Sequence, residues 1–155
     1  GINVYAYAAG NPVNFTDRWG LELISAAQGQ LIVAEAKSWI GTPYASIGTK
    51  YQGRHAKKQI GADCSGATWV IYKNAGFPYK NYTTTRQFPA PEFKKVSKPQ
   101  AGDVVLLNGH MGIHDPSPPK AGWNLLSATS SKGYRYGKIS WFSGSPKYYR
   151  YNCPD

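Results

Sequence analysis

The order of patterns along this chain predicts an α+β fold in which helices come first and an antiparallel sheet follows. Three observations carry that expectation. Apolar residues recur at helical spacing only in the first half, with glycines placed as stops. From Gly102 onward, short apolar and aromatic runs alternate with turn residues, as in a meander. The 155 residues are 41% hydrophobic, enough for one core and one catalytic domain with at most a short appendage.

The first 21 residues differ from the rest: Ile2-Asn3-Val4-Tyr5-Ala6-Tyr7 alternates as a strand, and Gly10-Asn11-Pro12 is turn chemistry. Gln30 to Ile40 places Ile32, Ala36, Trp39 and Ile40 on one helical face, stopped by Gly41. Gly41-Thr42-Pro43-Tyr44 is a turn and 45–62 a loop. A second helix runs from Cys64 to about Ala75, burying Ala67, Val70, Ile71 and Ala75 and ending at Gly76. A proline-rich loop from Phe77 to about Gln100 leads to five strands: Asp103–Leu107, His110–His114, Trp123–Thr129, Tyr134–Ser140 and Lys147–Tyr151.

Lys plus Arg number 18 and Asp plus Glu 8, a net charge of +10 that suits an anionic partner: nucleic acid, an acidic wall polymer, a membrane surface or an acidic inhibitor. Twelve Tyr and five Trp suit a groove that grips a sugar or peptide polymer, although strands also favour aromatics. No apolar stretch has the length of a membrane span, so stable membrane insertion is not expected. The first residues show no basic-then-apolar leader, so the sequence predicts that export, if it occurs, depends on another carrier.

The chemistry concentrates at Gly61-Ala62-Asp63-Cys64-Ser65-Gly66. A thiol at a helix N-terminus lies among unpaired N–H groups at the positive end of the helix dipole, which favours thiolate. Asp63 is a good N-cap, and Ser65 and Gly66 are small enough to leave the sulfur open. The backbone N–H of Cys64 is a natural oxyanion donor. The second cysteine, Cys153, is most simply a free thiol near the end rather than a disulfide partner of Cys64. Downstream, Gly109-His110-Met111-Gly112-Ile113 begins a strand and supplies an imidazole. His114 shares the strand face of His110, but four residues along a strand separate them by about 13 Å, and no carboxylate cluster accompanies them. His55, among Arg54, Lys57 and Lys58, reads as a solvated loop residue. No metal site and no cofactor are expected.

Four segments in order resemble the NlpC-type cell-wall peptidases, a bacterial papain-like family. They are Trp39-Ile40-Gly41-Thr42-Pro43-Tyr44, Asp63-Cys64-Ser65-Gly66, Ala101-Gly102-Asp103-Val104-Val105 and His110-Met111-Gly112-Ile113. Thr85-Arg86-Gln87 resembles a further stretch of that pattern. The resemblance spans roughly residues 30–150. It implies a papain-like fold with helices packed on an antiparallel five- to six-stranded sheet, Cys64 as nucleophile and His110 as its base. It also implies that Tyr44 lines the cleft, with Asp63 and Ser65 beside it at the substrate or oxyanion position. The family's third polar group is a His, Asn or Gln on the next strand. Here Leu125-Leu126-Ser127-Ala128 puts Ser127 at that place, with Asn124, His114 or a backbone carbonyl as alternatives.

Residues 1–21 resemble a different group, the C-terminal end of the repeat core of Rhs/YD-repeat proteins, through Asn3-Val4-Tyr5-Ala6-Tyr7, Asn11-Pro12-Val13-Asn14 and Asp17-Arg18-Trp19-Gly20-Leu21. In that group the repeats form a shell, this segment closes it, and the chain beyond is a variable toxin. Many members cleave themselves just after the Gly-Leu; Arg18 stands where that pattern has proline. The two resemblances together divide the chain into 1–21, the end of the shell, and 22–155, a peptidase toxin. They imply an antibacterial effector made in the cytoplasm, delivered by a contact-dependent system of type VI kind, and acting in the periplasm of a target bacterium. Its substrate would be peptidoglycan stem peptide, cut at the γ-D-glutamyl–diaminopimelate bond. Its partners would be the Rhs shell and an acidic immunity protein. The same thiol chemistry also serves transpeptidation, deamidation or acyl transfer. A nuclease toxin would suit the charge, but the chain lacks a clustered Asp/Glu/His set for metal, and nucleic acid is not the expected partner.

Overall fold

The computed structural model describes residues 22–153, so the expected shell segment 1–21 lies outside the described residues. Two helices, α1 (Ala26–Lys37) and α2 (Cys64–Asn74), precede six strands: β1 (Phe93–Val96), β2 (Val104–Leu107), β3 (His110–His114), β4 (Leu125–Thr129), β5 (Gly133–Gly137) and β6 (Lys147–Tyr151). The strands form one antiparallel sheet in the order β1-β6-β2-β3-β4-β5. The predicted α+β class holds, with two differences. β2 to β5 form the expected meander, but β6 returns to pair with β2, and β1 adds outside it. β1 itself lies in the stretch read as a proline-rich loop.

Local chemistry sets the helix bounds. α1 starts four residues earlier than its apolar pattern because Ser25 and Gln28 form a capping box, each side chain bonded to the other's backbone N–H. It ends at Lys37, and Ser38 to Ile40 close as tight turns. α2 begins at the predicted residue, where Asp63 Oδ1 accepts from Gly66 N at 2.9 Å. It stops before Gly76, which takes φ +98°. Burial on α2 falls on Ala67, Thr68, Ile71 and Tyr72, whereas Val70 is only partly buried.

α2 packs on β3 and β4, with α1 against α2. Met111, Ile113, Leu126 and Ala128 join Ala67 and Ile71 in the main core. The core continues into an aromatic cluster beneath β1 and β6: Phe93 meets Tyr72, Tyr79, Phe88 and Tyr151 at ring-centroid distances of 4.9–5.6 Å. Val105, Leu107 and Leu125 form a smaller cluster on the opposite face, covered by Ile139, Phe142 and Tyr148. The Gly-Asp pair before β2 has a structural reason. Asp103 is fully buried and takes a bidentate bond from Arg150 of β6, at 2.9 and 2.8 Å, tying the returning strand to the start of β2. Glu22 to Ile24 pair with the end of β6 and the residues just after it, through Ile24 N to Tyr151 O and Cys153 N to Glu22 O. Residue 22 therefore already belongs to this fold. Among the described residues, no helix is long and apolar enough to cross a membrane.

Candidate active site

Cys64, the first residue of α2, lines a cavity of about 560 Å³ together with His110 at the start of β3 and Tyr44 from the turn after α1. The approach is built from backbone. Ala62 N bonds Pro43 O and Ala45 N bonds Ala62 O, a short parallel bridge that sets Tyr44 beside the residues leading into α2. Gly66 is required one turn in: a Cβ there would meet Gly53 O at 2.3 Å and Asp63 Oδ1 at 2.5 Å, pushing the cap away from the helix end. The backbone N–H groups of Met111 and Ser65 lie close enough to lower the pKa of the thiol, so the sulfur sits near the chain immediately after His110. Thr85 Oγ1 lies 3.3 Å from Sγ.

The imidazole is held on two sides. His110 Nε2 is 2.9 Å from Ser127 Oγ on β4, and the Phe142 ring stacks on it with centroids 3.9 Å apart and planes 7° from parallel. Nε2 is thus committed to Ser127, and Nδ1 is the nitrogen left for the thiol. When Nε2–H donates to Ser127 Oγ, Nδ1 is a free base. Burial lowers the His110 pKa to about 4 and raises that of the Cys64 thiol, against the opposing effect of Thr85 and the backbone donors. Burial also raises the Tyr44 hydroxyl, with smaller contributions from charge on Cys64 and Asp63. Both shifts favour the neutral thiol and the neutral imidazole, opposing the thiolate that the helix-start position favours.

The sequence-derived candidates divide into two groups. Cys64, His110, Ser127 and Tyr44 converge on the cavity or on the imidazole. Asp63 and Ser65, expected at the substrate or oxyanion position, are turned elsewhere. The Asp63 carboxylate accepts from Gly66 N and Gly53 N as a helix cap, and the buried Ser65 hydroxyl is 2.6 Å from Tyr82 OH. Of the alternatives to Ser127, Asn124 donates to Asp115 O. His114 lies at the other end of β3 against Tyr148, with its buried Nδ1 lacking a partner among the described residues. His55 is exposed. Cys64 and Cys153 are both free. Among the described residues no group of three His, Cys, Asp or Glu is placed to hold a metal ion. Phe142 and Arg135 were not foreseen; Thr85 carried a signal only through its Thr-Arg-Gln context.

A sequence profile of the NlpC/P60 family matches residues 41–140, a span that holds Tyr44, Cys64, His110 and Ser127. The chain belongs to the NlpC/P60 family. The NlpC/P60 domain of the peptidoglycan hydrolase SagA has a crystal structure similar to this one, with a TM-score of 0.55 and 28% identity over 77% of this chain and 97% of that one. A Staphylococcus aureus protein described as similar to a lipoprotein of the NLP/P60 family shares the fold, with a TM-score of 0.55 and 22% identity over 90% of this chain and 46% of its own. Protein P54 of Enterococcus faecium is 27% identical over 120 residues, which cover 76% of this chain but only 22% of P54. This NlpC/P60 domain departs from the resemblance described above at its third polar group: a serine hydroxyl meets the imidazole where an amide or second imidazole is usual.

Proposed function

We propose that this NlpC/P60 domain is a cysteine peptidase that hydrolyses amide bonds in peptidoglycan stem peptides, and that it serves as the toxin of an Rhs-type antibacterial effector. One observation carries the peptidase reading: a cysteine at a capped helix start and an imidazole held by a hydroxyl line the same cavity, with the sulfur against the backbone that follows the imidazole. The relative named a peptidoglycan hydrolase supports the substrate class.

In this reading Cys64 Sγ attacks the amide carbonyl carbon while its proton passes to His110 Nδ1. The oxyanion forms near the backbone N–H of Cys64 at the head of α2, where the helix dipole favours negative charge, with the Tyr44 hydroxyl alongside. His110 then gives the proton to the departing amine as the C–N bond breaks, leaving a thioester on Cys64. Water, deprotonated by His110, attacks the thioester and releases the acid and the free thiol. Ser127 keeps the imidazole in the tautomer that is basic at Nδ1. The bond assigned is γ-D-glutamyl–diaminopimelate, and the +10 charge favours approach to an anionic wall.

The toxin reading rests on the Rhs-like residues 1–21 and on a fold that starts by residue 22. It implies delivery to the periplasm of a rival cell and an acidic immunity protein covering the Cys64 cavity. Digestion of purified sacculi with wild type and Cys64→Ala, read by mass spectrometry of the muropeptides, tests the chemistry. Unchanged muropeptides beside an active control would refute it. Growth arrest on periplasmic but not cytoplasmic expression tests the toxin role, and arrest from the cytoplasm alone would overturn it.

A further inference from the structure

Arg135 sits on β5 directly opposite Ser127 in the sheet register, so it lies one strand beyond the hydroxyl that holds His110, and its side chain lines the same cavity. Among the described residues its guanidinium has no counter-ion. Nε donates to Tyr136 O at 3.0 Å, and Cζ lies over two indoles, 5.0 Å from the Trp141 ring centroid and 5.5 Å from that of Trp123. The two indoles pack edge to face at 4.9 Å beneath it. Among the described residues no acidic side chain lines the cavity, and the ion pairs are Lys58–Glu35 and Arg150–Asp103, neither of which involves Arg135.

An arginine held by a backbone bond and aromatic rings has less freedom left to lose on binding, and its outer nitrogens form a fork that matches a carboxylate. Among the described residues no hydrogen bond or ion pair engages that fork. We propose that Arg135 determines specificity by binding a free carboxylate of the stem peptide beside the scissile bond. The assignment rests on the peptidase reading and adds to it a preference for acid over amidated stems. The γ-linked glutamyl residue and the diamino acid that follows it each carry such a group, and both are anions of the same chemistry.

The test uses three synthetic stem peptides that are identical except at these groups: one with all carboxylates free, one amidated on the glutamyl α-carboxyl, and one amidated on the carboxyl of the diamino acid. kcat/KM is measured for wild type, Arg135→Gln and Arg135→Lys, with thermal melting of each. Wild type is expected to prefer the free peptide over one of the amidated peptides by about ten- to a hundredfold, and the sensitive peptide identifies the carboxylate. Arg135→Gln should collapse that ratio to about one, and Arg135→Lys, which keeps the charge but not the fork, should fall between. Equal cleavage of all three peptides by wild type would overturn the assignment while leaving the peptidase reading intact. So would an equal loss on all three in a folded Arg135→Gln. No cleavage of any peptide by wild type would overturn both.

Discussion

Toward the helices, β3 and β4 present Met111, Ile113, Leu126 and Ala128, each at most 2% exposed and packed on α2. On the opposite face the same two strands carry His110, His114 and Ser127, met by Phe142 and Tyr148. Successive residues of a strand point to opposite faces, so five residues of β3 serve both surfaces. One face is closed by apolar packing alone, and the other by a smaller apolar cluster together with hydrogen bonds and ring stacking around an imidazole. The pairing has a mechanical consequence. His110 is flanked by core residues whose burial fixes the strand, so its position is set to the tolerance of close packing before substrate arrives. Cys64 reaches the site from the helix layer, at the end of the sheet where the two faces meet.

That division predicts separable losses. Cys64→Ala should lower kcat/KM on a stem peptide by at least about 10⁴-fold, because no other group on either face replaces the nucleophile. Its melting temperature should stay close to wild type. A comparable fall in stability would show that the site and the core are not independent. Phe93→Ala, at the hub of the aromatic cluster, should cost about 3–5 kcal/mol in denaturant unfolding while the folded fraction keeps its kcat. A catalytic loss without that instability would place Phe93 in the site and break the comparison.

How legible each part was follows the same lines. The start of α2 could be read because an N-cap, a small residue one turn in and an apolar period all lie within one short segment. β3 matched at both ends because turn residues bracket it. β1 was hidden: Phe93-Lys94-Lys95-Val96 is four residues long, lies among prolines, and becomes a strand only by pairing with Tyr148–Tyr151 far downstream. The early start of α1 rests on Ser25 and Gln28, whose reciprocal bonds are capping signals that the apolar pattern does not contain. β5 ends at Gly137 rather than Ser140 because a tight turn follows and the Trp141 ring folds over that glycine, leaving no room for a Cβ. Within the site, Cys64 and His110 were visible through their neighbours. Phe142 comes from a turn after β5, and nothing in its own sequence context marks a ring that stacks on a histidine. Asp63 and Ser65 were adjacent to the nucleophile, but the turn at Gly53 and the Tyr82 hydroxyl claim them.

A smaller loss is expected on the polar face from Ser127→Ala. It removes the one hydrogen bond that fixes the His110 tautomer while leaving Phe142 to hold the ring plane, so kcat should fall by about ten- to a hundredfold with KM little changed. Ser127→Asn, which restores a side-chain acceptor for Nε2–H, should recover part of the loss. If Ser127→Ala retained full kcat, the stacking ring alone would suffice and the hydroxyl would be a packing residue.

The least costly way to sharpen the comparison is pH. Burial holds the His110 pKa near 4, below its ordinary value of 6.5, so the neutral base persists as the solution turns acid. The acid limb of kcat/KM should therefore lie near pH 4, and at pH 5.5 the domain should retain activity that a solvent-exposed imidazole would have lost by about tenfold. Stability moves the other way over the same range. Between pH 6.5 and 4 the unfolded chain takes up a proton at this residue that the folded chain refuses, so folding weakens as pH falls, by at most about 1.4 kcal/mol per unit from this group. Peptide hydrolysis and denaturant unfolding, both followed from pH 8 down to 5, should thus separate: activity per folded molecule stays nearly flat while unfolding becomes easier below pH 6.5. An acid limb at pH 6 or above would mean that His110 titrates like an exposed imidazole and is not sheltered by Phe142 and Ser127.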